Sequence, residues 1–210
     1  YGEAEVTLKE TLDAISENKS FGEINEPEVE IPHANKGYPS TIKGNGIPGL
    51  IYRSDKNKII NNGKRKAIKN IDDFPIPDWE LFDVKHYLKM GRKHGASHSW
   101  FYKSDEAVTM PINTARGCVF KCTFCHYVFW HDPYRHRSAE NVIAEIKHLK
   151  EKYGANFFNF WDELSFHKIG PAEKFLDALI EADLKVHWTC AIRADLMGKD
   201  VDPKGNPIPR

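Results

Sequence analysis

Apolar positions along the chain follow two different rhythms, and the change comes near residue 105. Before it they are sparse and broken by proline. Thr7-Leu8-Lys9-Glu10 reads as a capping box with Thr7 as N-cap, and Leu8, Leu12 and Ile15 then share one face, which predicts a helix to about Lys19. Residues 21–48 carry Pro27, Pro32, Pro39 and Pro48 with several glycines and predict an extended connector. Gly49 to Arg53 and Lys58 to Asn61 flank the turn-rich Ser54-Asp55-Lys56-Asn57 and predict a hairpin. Pro75 and Pro77 stiffen the next crossing, and a short helix is expected over Glu80 to Leu88.

Beyond about Ala107, short apolar runs alternate with helical stripes. Val108 to Thr114 predicts a buried strand. Ser138 can cap a helix whose inner face is Val142, Ile143, Ile146, Leu149 and Tyr153, stopped by Gly154. Asn156 to Trp161 predicts a second strand. Pro171 suits the first turn of a further helix, with Ala172, Phe175, Leu176, Leu179 and Ile180 as its apolar stripe. Lys185 to Ile192 predicts a third strand. Strand and helix alternating at this pace imply βαβ units, a parallel sheet and the α/β class. Such sheets gather ligands where the strands end. Cysteines follow the first strand, Asp162 and Glu163 the second, and Arg193 the third, so three strand ends deliver chemistry to one rim.

Composition narrows the partners. Thirty basic and thirty acidic side chains cancel in 210 residues, so no global field draws the chain to nucleic acid or to an anionic membrane, and a small-molecule substrate is expected. There is no apolar run of membrane-spanning length and no signal-like N-terminus, which predicts a cytoplasmic protein. Three of the four cysteines are crowded together, unlike a disulfide framework. The acidic opening without Met and the loop-like 202–210 predict an internal fragment.

Those three cysteines are Cys118, Cys122 and Cys125, in Cys118-Val-Phe-Lys-Cys122-Thr-Phe-Cys125. Three thiolates on one tight loop suit a cuboidal iron-sulfur cluster, which takes one cysteine per iron and here would keep one iron open. Arg116 and Lys121 beside them favour the thiolate form. Cys122-Thr-Phe-Cys125-His126 also satisfies the haem-attachment pattern. The same residues allow a redox pair, or a zinc site completed by His126 or His131, although none of these readings uses Cys118 as readily. Cys190 lies inside a predicted strand and reads as a small buried hydrophobe. No helical i, i+4 histidine pair marks a further metal motif.

The CxxxCxΦC spacing, with Phe124 as the aromatic before the last cysteine, resembles the radical S-adenosylmethionine (SAM) superfamily. The resemblance implies a partial (β/α) barrel of parallel strands, a 4Fe-4S cluster on Cys118, Cys122 and Cys125, and SAM on the open iron. Asn159-Phe160-Trp161-Asp162-Glu163 stands where the family contacts the SAM amino group. The usual Gly-Gly-Glu is absent, and Asp162-Glu163 resembles the acidic pair of the cobalamin-associated branch. Arg193 stands where that branch often has an arginine suited to the SAM carboxylate, with a salt bridge to Asp195 as the alternative. Tyr134-Arg135-His136-Arg137-Ser138 resembles the stretch that opens the first helix; its arginines read most simply as a solvated basic turn, with contact to substrate or to the cluster loop as the alternative.

Gly2-Glu3-Ala4-Glu5, Gly49-Leu50-Ile51-Tyr52-Arg53, Pro75-Ile76-Pro77-Asp78 and Leu81-Phe82-Asp83 resemble, in order, landmarks of the same branch. They imply that residues 1–20 are the C-terminal helix of a truncated cobalamin-binding domain. Residues 21–105 become an irregular linker with a small hairpin, and 106–210 the first half of the barrel. The cobalamin loop Asp-x-His-x-x-Gly is not in the sequence, so most of that domain would lie upstream. The implied activity is reductive cleavage of SAM to a deoxyadenosyl radical, used with cobalamin for methylation or a related modification. An electron donor such as flavodoxin or ferredoxin is the implied partner.

Overall fold

The computed structural model describes residues 3–22, 46–94, 107–120, 122–125 and 133–194. The chain forms two compact units, one of residues 1–69 and 121–132, the other of residues 70–120 and 133–210. The connector predicted over residues 21–48 lies almost wholly outside the described residues, as does the 202–210 tail.

In the first unit, helix α1 spans Ala4–Ser16. It starts one turn earlier than the capping box predicted, because Thr7 and Glu10 are recruited sideways. The Thr7 hydroxyl donates to the Pro48 carbonyl at 2.7 Å, and Glu10 pairs with Arg65. Glu3 takes the N-cap position without a side-chain cap bond, and its carboxylate accepts the Ile68 N–H at 2.9 Å instead. The face expected to be inner is open: Leu8, Leu12 and Ile15 are each more than half exposed, whereas Thr7 and Ala14 are buried. The hairpin forms as expected. β1 (Ile51–Arg53) pairs antiparallel with β2 (Ile59–Asn61), and Asn57, at φ +61°, supplies the left-handed turn position that asparagine tolerates.

The second unit begins with two short capped turns. Asp78 accepts the Glu80 N–H and caps a 3-10 turn at Trp79–Leu81; extended Phe82 ends it. Asp83 then accepts the His86 N–H at the start of helix α2 (Val84–His94). Two caps five residues apart thus split what the pattern suggested was one helix.

The rest is β3 (Thr109–Ile112), α3 (Ala139–Tyr153), β6 (Phe157–Phe160), α4 (Ile169–Ala182) and β7 (His187–Thr189), with the two-residue strands β4 (Ala115–Arg116) and β5 (Arg135–His136) between β3 and α3. β3, β6 and β7 form a parallel sheet in that order, in which Pro111, Asn159 and Thr189 share a row. Pro111 is tolerated because β3 is an edge strand. α3 has the predicted ends: Ser138 accepts the Asn141 N–H, and Gly154 turns left-handed at φ +68°. Among the described residues this is an α/β unit with no closed barrel, and its parallel strands are what the alternation implied.

Alternation along each strand sorts the side chains by face. Met110, Ile112, Phe158, Phe160 and Trp188 pack against Val142, Ile146 and Leu149 of α3 and Phe175 of α4. Phe160 and Trp188 stack at 5.3 Å, and Phe175 meets both edge-on. Leu176 and Ile180 of the predicted α4 stripe stay exposed. Phe158 is fully buried in the central strand. Phe158→Ala should therefore lower the unfolding free energy by about 3–5 kcal/mol, read from urea titration, a loss no surface phenylalanine would produce.

Candidate active site

The other face of the sheet is mixed: Phe157 is buried in a small cluster with Ala107, and polar side chains lie toward the carboxyl end. Thr189 Oγ1 donates to Asn159 Oδ1 at 2.9 Å, and Asn113 Nδ2 donates to the Trp161 carbonyl at 2.6 Å. Parallel sheets are ordinarily covered on both faces by apolar residues. Here Asn159 and Thr189 follow Pro111 across the sheet, Asn113 lies just past β3, and Trp161 and Glu163 are exposed at the carboxyl end of the central strand.

The cysteine segment leaves the sheet at this end through a neck. β4 and β5 pair antiparallel, Ala115 with His136 and Arg116 with Arg135, so residues 117–134 depart and return through a two-stranded clasp. Gly117, at φ +81°, makes the exit turn, a conformation that costs other residues a strain glycine avoids. Cys118 and Cys122 are half-buried and Cys125 is exposed; no disulfide joins any of the four cysteines. The Cys125 N–H donates to the Cys122 carbonyl at 3.0 Å, closing a turn that carries Phe124 in the open, 91% exposed. Lys121, His126 and His131 lie outside the described residues. Among the described residues, no group of three or more His, Cys, Asp or Glu side chains is gathered to hold a metal ion. The fit to an iron-sulfur cluster therefore rests on the chemistry of the donors. Three thiols on one short segment are soft ligands of the kind iron-sulfur centres take.

Asp162 holds the neck. Its buried carboxylate accepts the Thr114 N–H at 2.8 Å, the Thr114 hydroxyl at 2.5 Å and the Ala115 N–H at 3.1 Å. A buried carboxylate is stable only when such donors surround it. Both oxygens thus face the strand-to-neck crossing, and the exposed partner of the acidic pair is Glu163. Arg137 grips the same crossing from the opposite side. Its N–H donates to the Thr114 carbonyl at 2.8 Å and its guanidinium to the Asn113 carbonyl at 3.0 Å, while it pairs with Glu145, whose side chain is 2% exposed. The solvated basic turn expected here is, at Arg137, a buried anchor, because Glu145 and Asn141 on the first turns of α3 give the guanidinium its partners. The backbone N–H of Ser138 is in turn held by the Asp72 carboxylate at 3.0 and 3.1 Å.

Arg193 follows β7, and its guanidinium lies 4.0 Å from the centre of the Phe120 ring, two residues past Cys118. The third strand end is thus tied to the cysteine segment by a cation–π contact, and Asp195, its alternative partner, lies outside the described residues. Tyr134 closes the segment on the return side: its hydroxyl donates to the Ser165 carbonyl at 2.5 Å, and its ring meets His167 edge-on at 4.3 Å. Burial, then the charges of Asp162 and Cys118, push the phenol well above its ordinary range. Burial, with Lys168 and His136 behind it, holds His167 below the usual imidazole value. Thr114 and Tyr134 are contributors that spacing did not single out. In the sequence Thr114 reads only as the end of a strand and Tyr134 only as part of the stretch that opens the first helix.

Residues 112–191 match the family model of the Radical SAM superfamily. This stretch is a radical SAM domain. An uncharacterized methyltransferase, PH0819, of Pyrococcus horikoshii is 26% identical over 95% of the chain. The anaerobic magnesium-protoporphyrin IX monomethyl ester cyclase of Rubrivivax gelatinosus is 29% identical over 69% of it. The cobalamin-dependent SAM radical enzyme OxsB, solved with aqua-cobalamin and S-adenosylmethionine bound, shares the fold at a TM-score of 0.61 over 97% of the chain with 17% identity. The chain spans 35% of the methyltransferase and 23% of each of the other two. The matched stretch takes in β6, β7 and the cysteine neck, and starts at the last residue of β3.

Two outcomes follow from this geometry. Asp162→Asn loses the anionic acceptor and sets an amide N–H₂ against donors. It should cost about 1.5–3 kcal/mol of unfolding free energy, whereas Glu163→Gln on the exposed rim should stay within about 0.5 kcal/mol. Cys190, pushed up to about 11 by burial and then by Asp162, remains a thiol at pH 8. With less thiolate there than an ordinary cysteine, it should alkylate slowly with iodoacetamide and speed up only as pH rises toward 11, as peptide mapping would report.

Proposed function

We propose that this chain is part of a radical SAM enzyme that holds a 4Fe-4S cluster on Cys118, Cys122 and Cys125 and leaves one iron for SAM. The observation that carries the reading is the cysteine trio on a segment clasped at the carboxyl end of β3, inside the matched domain. When bound, the cluster supplies the electron that splits SAM into methionine and a deoxyadenosyl radical.

The chain's own residues bind and orient. Glu163, exposed at the end of β6, receives the SAM ammonium by a charge-assisted contact, while Asp162 keeps the neck in place behind it. Arg193 offers a planar fork to the SAM carboxylate from the end of β7, its ring partner Phe120 holding it beside the cysteine segment. Phe124, open on the segment, covers the cofactor side and excludes water. The amide and hydroxyl row of Asn113, Asn159 and Thr189 faces the small-molecule substrate.

In the full protein, residues 1–20 close a cobalamin-binding domain, 21–105 form the linker, and 106–210 begin the barrel. Likeness to a cobalamin-dependent enzyme supports cobalamin as a third cofactor, and methyltransferase and cyclase relatives support methylation or ring closure as the outcome. A reduced flavodoxin or ferredoxin serves as electron donor.

Anaerobic reconstitution of the full-length protein should load about four iron and four sulfide per chain, and SAM should change the EPR signal of the reduced cluster. Cys122→Ala should abolish loading and SAM cleavage together. Cleavage persisting in that variant, or a colourless zinc protein from the parent, overturns the reading.

A further inference from the structure

A cavity of about 200 Å³ lies on the helix-covered side of the sheet, lined by the first turns of α3 and α4 and by the start of the neck. It is smaller than the roughly 300–1,000 Å³ of most small-molecule sites, so it suits a ligand of few heavy atoms. Val142, Phe166 and Phe175 form its apolar wall. The rest of the wall is rich in donors. Ser165 is fully buried in the lining, and its hydroxyl has no partner. Its N–H is bonded to the Ala191 carbonyl and its carbonyl accepts the Tyr134 hydroxyl, so the hydroxyl is what Ser165 has left to offer an occupant. Ala139 and Glu140 bring the first turn of α3, whose N–H groups have no acceptor within the helix. The Ser138 hydroxyl accepts the Asn141 N–H at 3.2 Å and keeps its own hydrogen to donate. Arg137 is taken by Glu145, and His136 meets the Arg137 carbonyl through Nδ1. Lys174 and Glu140 add exposed, opposite charges to the lining, and neither forms an ion pair among the described residues. Formal charge thus cancels, and the excess of donors sets the polarity of the occupant.

We propose that this cavity binds a short aliphatic carboxylate, its oxygens on the Ser165 hydroxyl and the first turn of α3 and its stem against Val142, Phe166 and Phe175. Open N–H groups at a helix start favour an anion. A fully apolar ligand would leave the buried hydroxyl unsatisfied, and a bare phosphate would press its remaining oxygens on the apolar wall. Lys174 adds attraction and Glu140 opposes it. The cavity also reaches Thr114, so its occupant sits beside the two residues, Thr114 and Ser165, that Asp162 and Tyr134 hold at the ends of the cysteine segment. Binding needs no cluster and does not rest on the radical SAM reading.

The test titrates the full-length protein, with and without the reconstituted cluster, and follows binding by NMR. The probes are isovalerate, 3-methylbutanol and isoamylamine, which share one shape, and inorganic phosphate. Isovalerate should bind at least about tenfold tighter than the alcohol, with the amine and phosphate weaker still. Ser165→Ala should weaken isovalerate about fivefold, yet leave the urea midpoint of the ligand-free protein unchanged or higher, because the hydroxyl it removes has no partner there. The two exposed charges should act in opposite directions: Lys174→Gln should weaken isovalerate about threefold and Glu140→Gln tighten it by about as much. Both of these substitutions are on the surface, so they carry the test if Ser165→Ala does not fold. Equal affinity for acid and alcohol, phosphate binding as tightly as isovalerate, weaker binding in Glu140→Gln, or no saturable binding overturns the proposal. Isovalerate binding without iron loading sinks the radical reading alone. Iron loading without isovalerate binding sinks the cavity alone.

Discussion

A single buried carboxylate governs how chemistry leaves this sheet. Asp162, at the end of the central strand, spends both oxygens on Thr114 and Ala115, the two residues through which the edge strand becomes the neck of the cysteine segment. The alternative to that arrangement is a charge buried without donors, a cost of several kcal/mol even after relaxation. The neck is therefore held wherever Asp162 is held, and Asp162 is held by the strand pairing that packs Phe158 and Phe160 onto α3. Core packing and the geometry of the neck are one problem here.

Arg137 completes the grip from outside. With Asp162 taking the N–H and hydroxyl of Thr114 and Arg137 taking its carbonyl, that residue has its backbone hydrogen bonds satisfied from two opposite sides. The Arg137–Glu145 pair is buried, and such pairs rarely add net stability. What it contributes is a fixed distance between the first turns of α3 and the neck.

Much of this was legible in the sequence, and the exceptions have physical causes. Ser138, Gly154, the α3 stripe, the three strands and the hairpin were readable because each is a local signal that its own neighbours satisfy. The start of α1 was misread because Thr7 and Glu10, a good capping box in isolation, found better partners in Pro48 and Arg65 far along the chain. Arg137 was misread for the same reason: its partners Asn113, Asn141 and Glu145 converge only once the chain folds. The cysteine trio is the plainest motif of the sequence because its spacing is local and needs no partner from elsewhere in the fold to be seen. The division of labour between Asp162 and Glu163 was not legible, because adjacent carboxylates look alike until burial separates them.

That separation bears on how the rim works. Neighbouring residues at a strand end point to opposite sides, so one carboxylate of a pair turns inward to the neck and the other outward to the rim. A Gly-Gly-Glu end places one carboxylate there; Asp162-Glu163 adds a second and gives it to the frame. The acidic pair is thus a buried strut beside an exposed carboxylate, and Arg193 likewise stands at a third strand end with its guanidinium on Phe120. Two of the three strand ends, β6 and β7, are joined to the cysteine-bearing stretch by a side chain, and the remaining one, β3, runs into it directly. Side chains at these strand ends are thus joined to the stretch from Thr114 to Phe120 by hydrogen bonds and a ring contact.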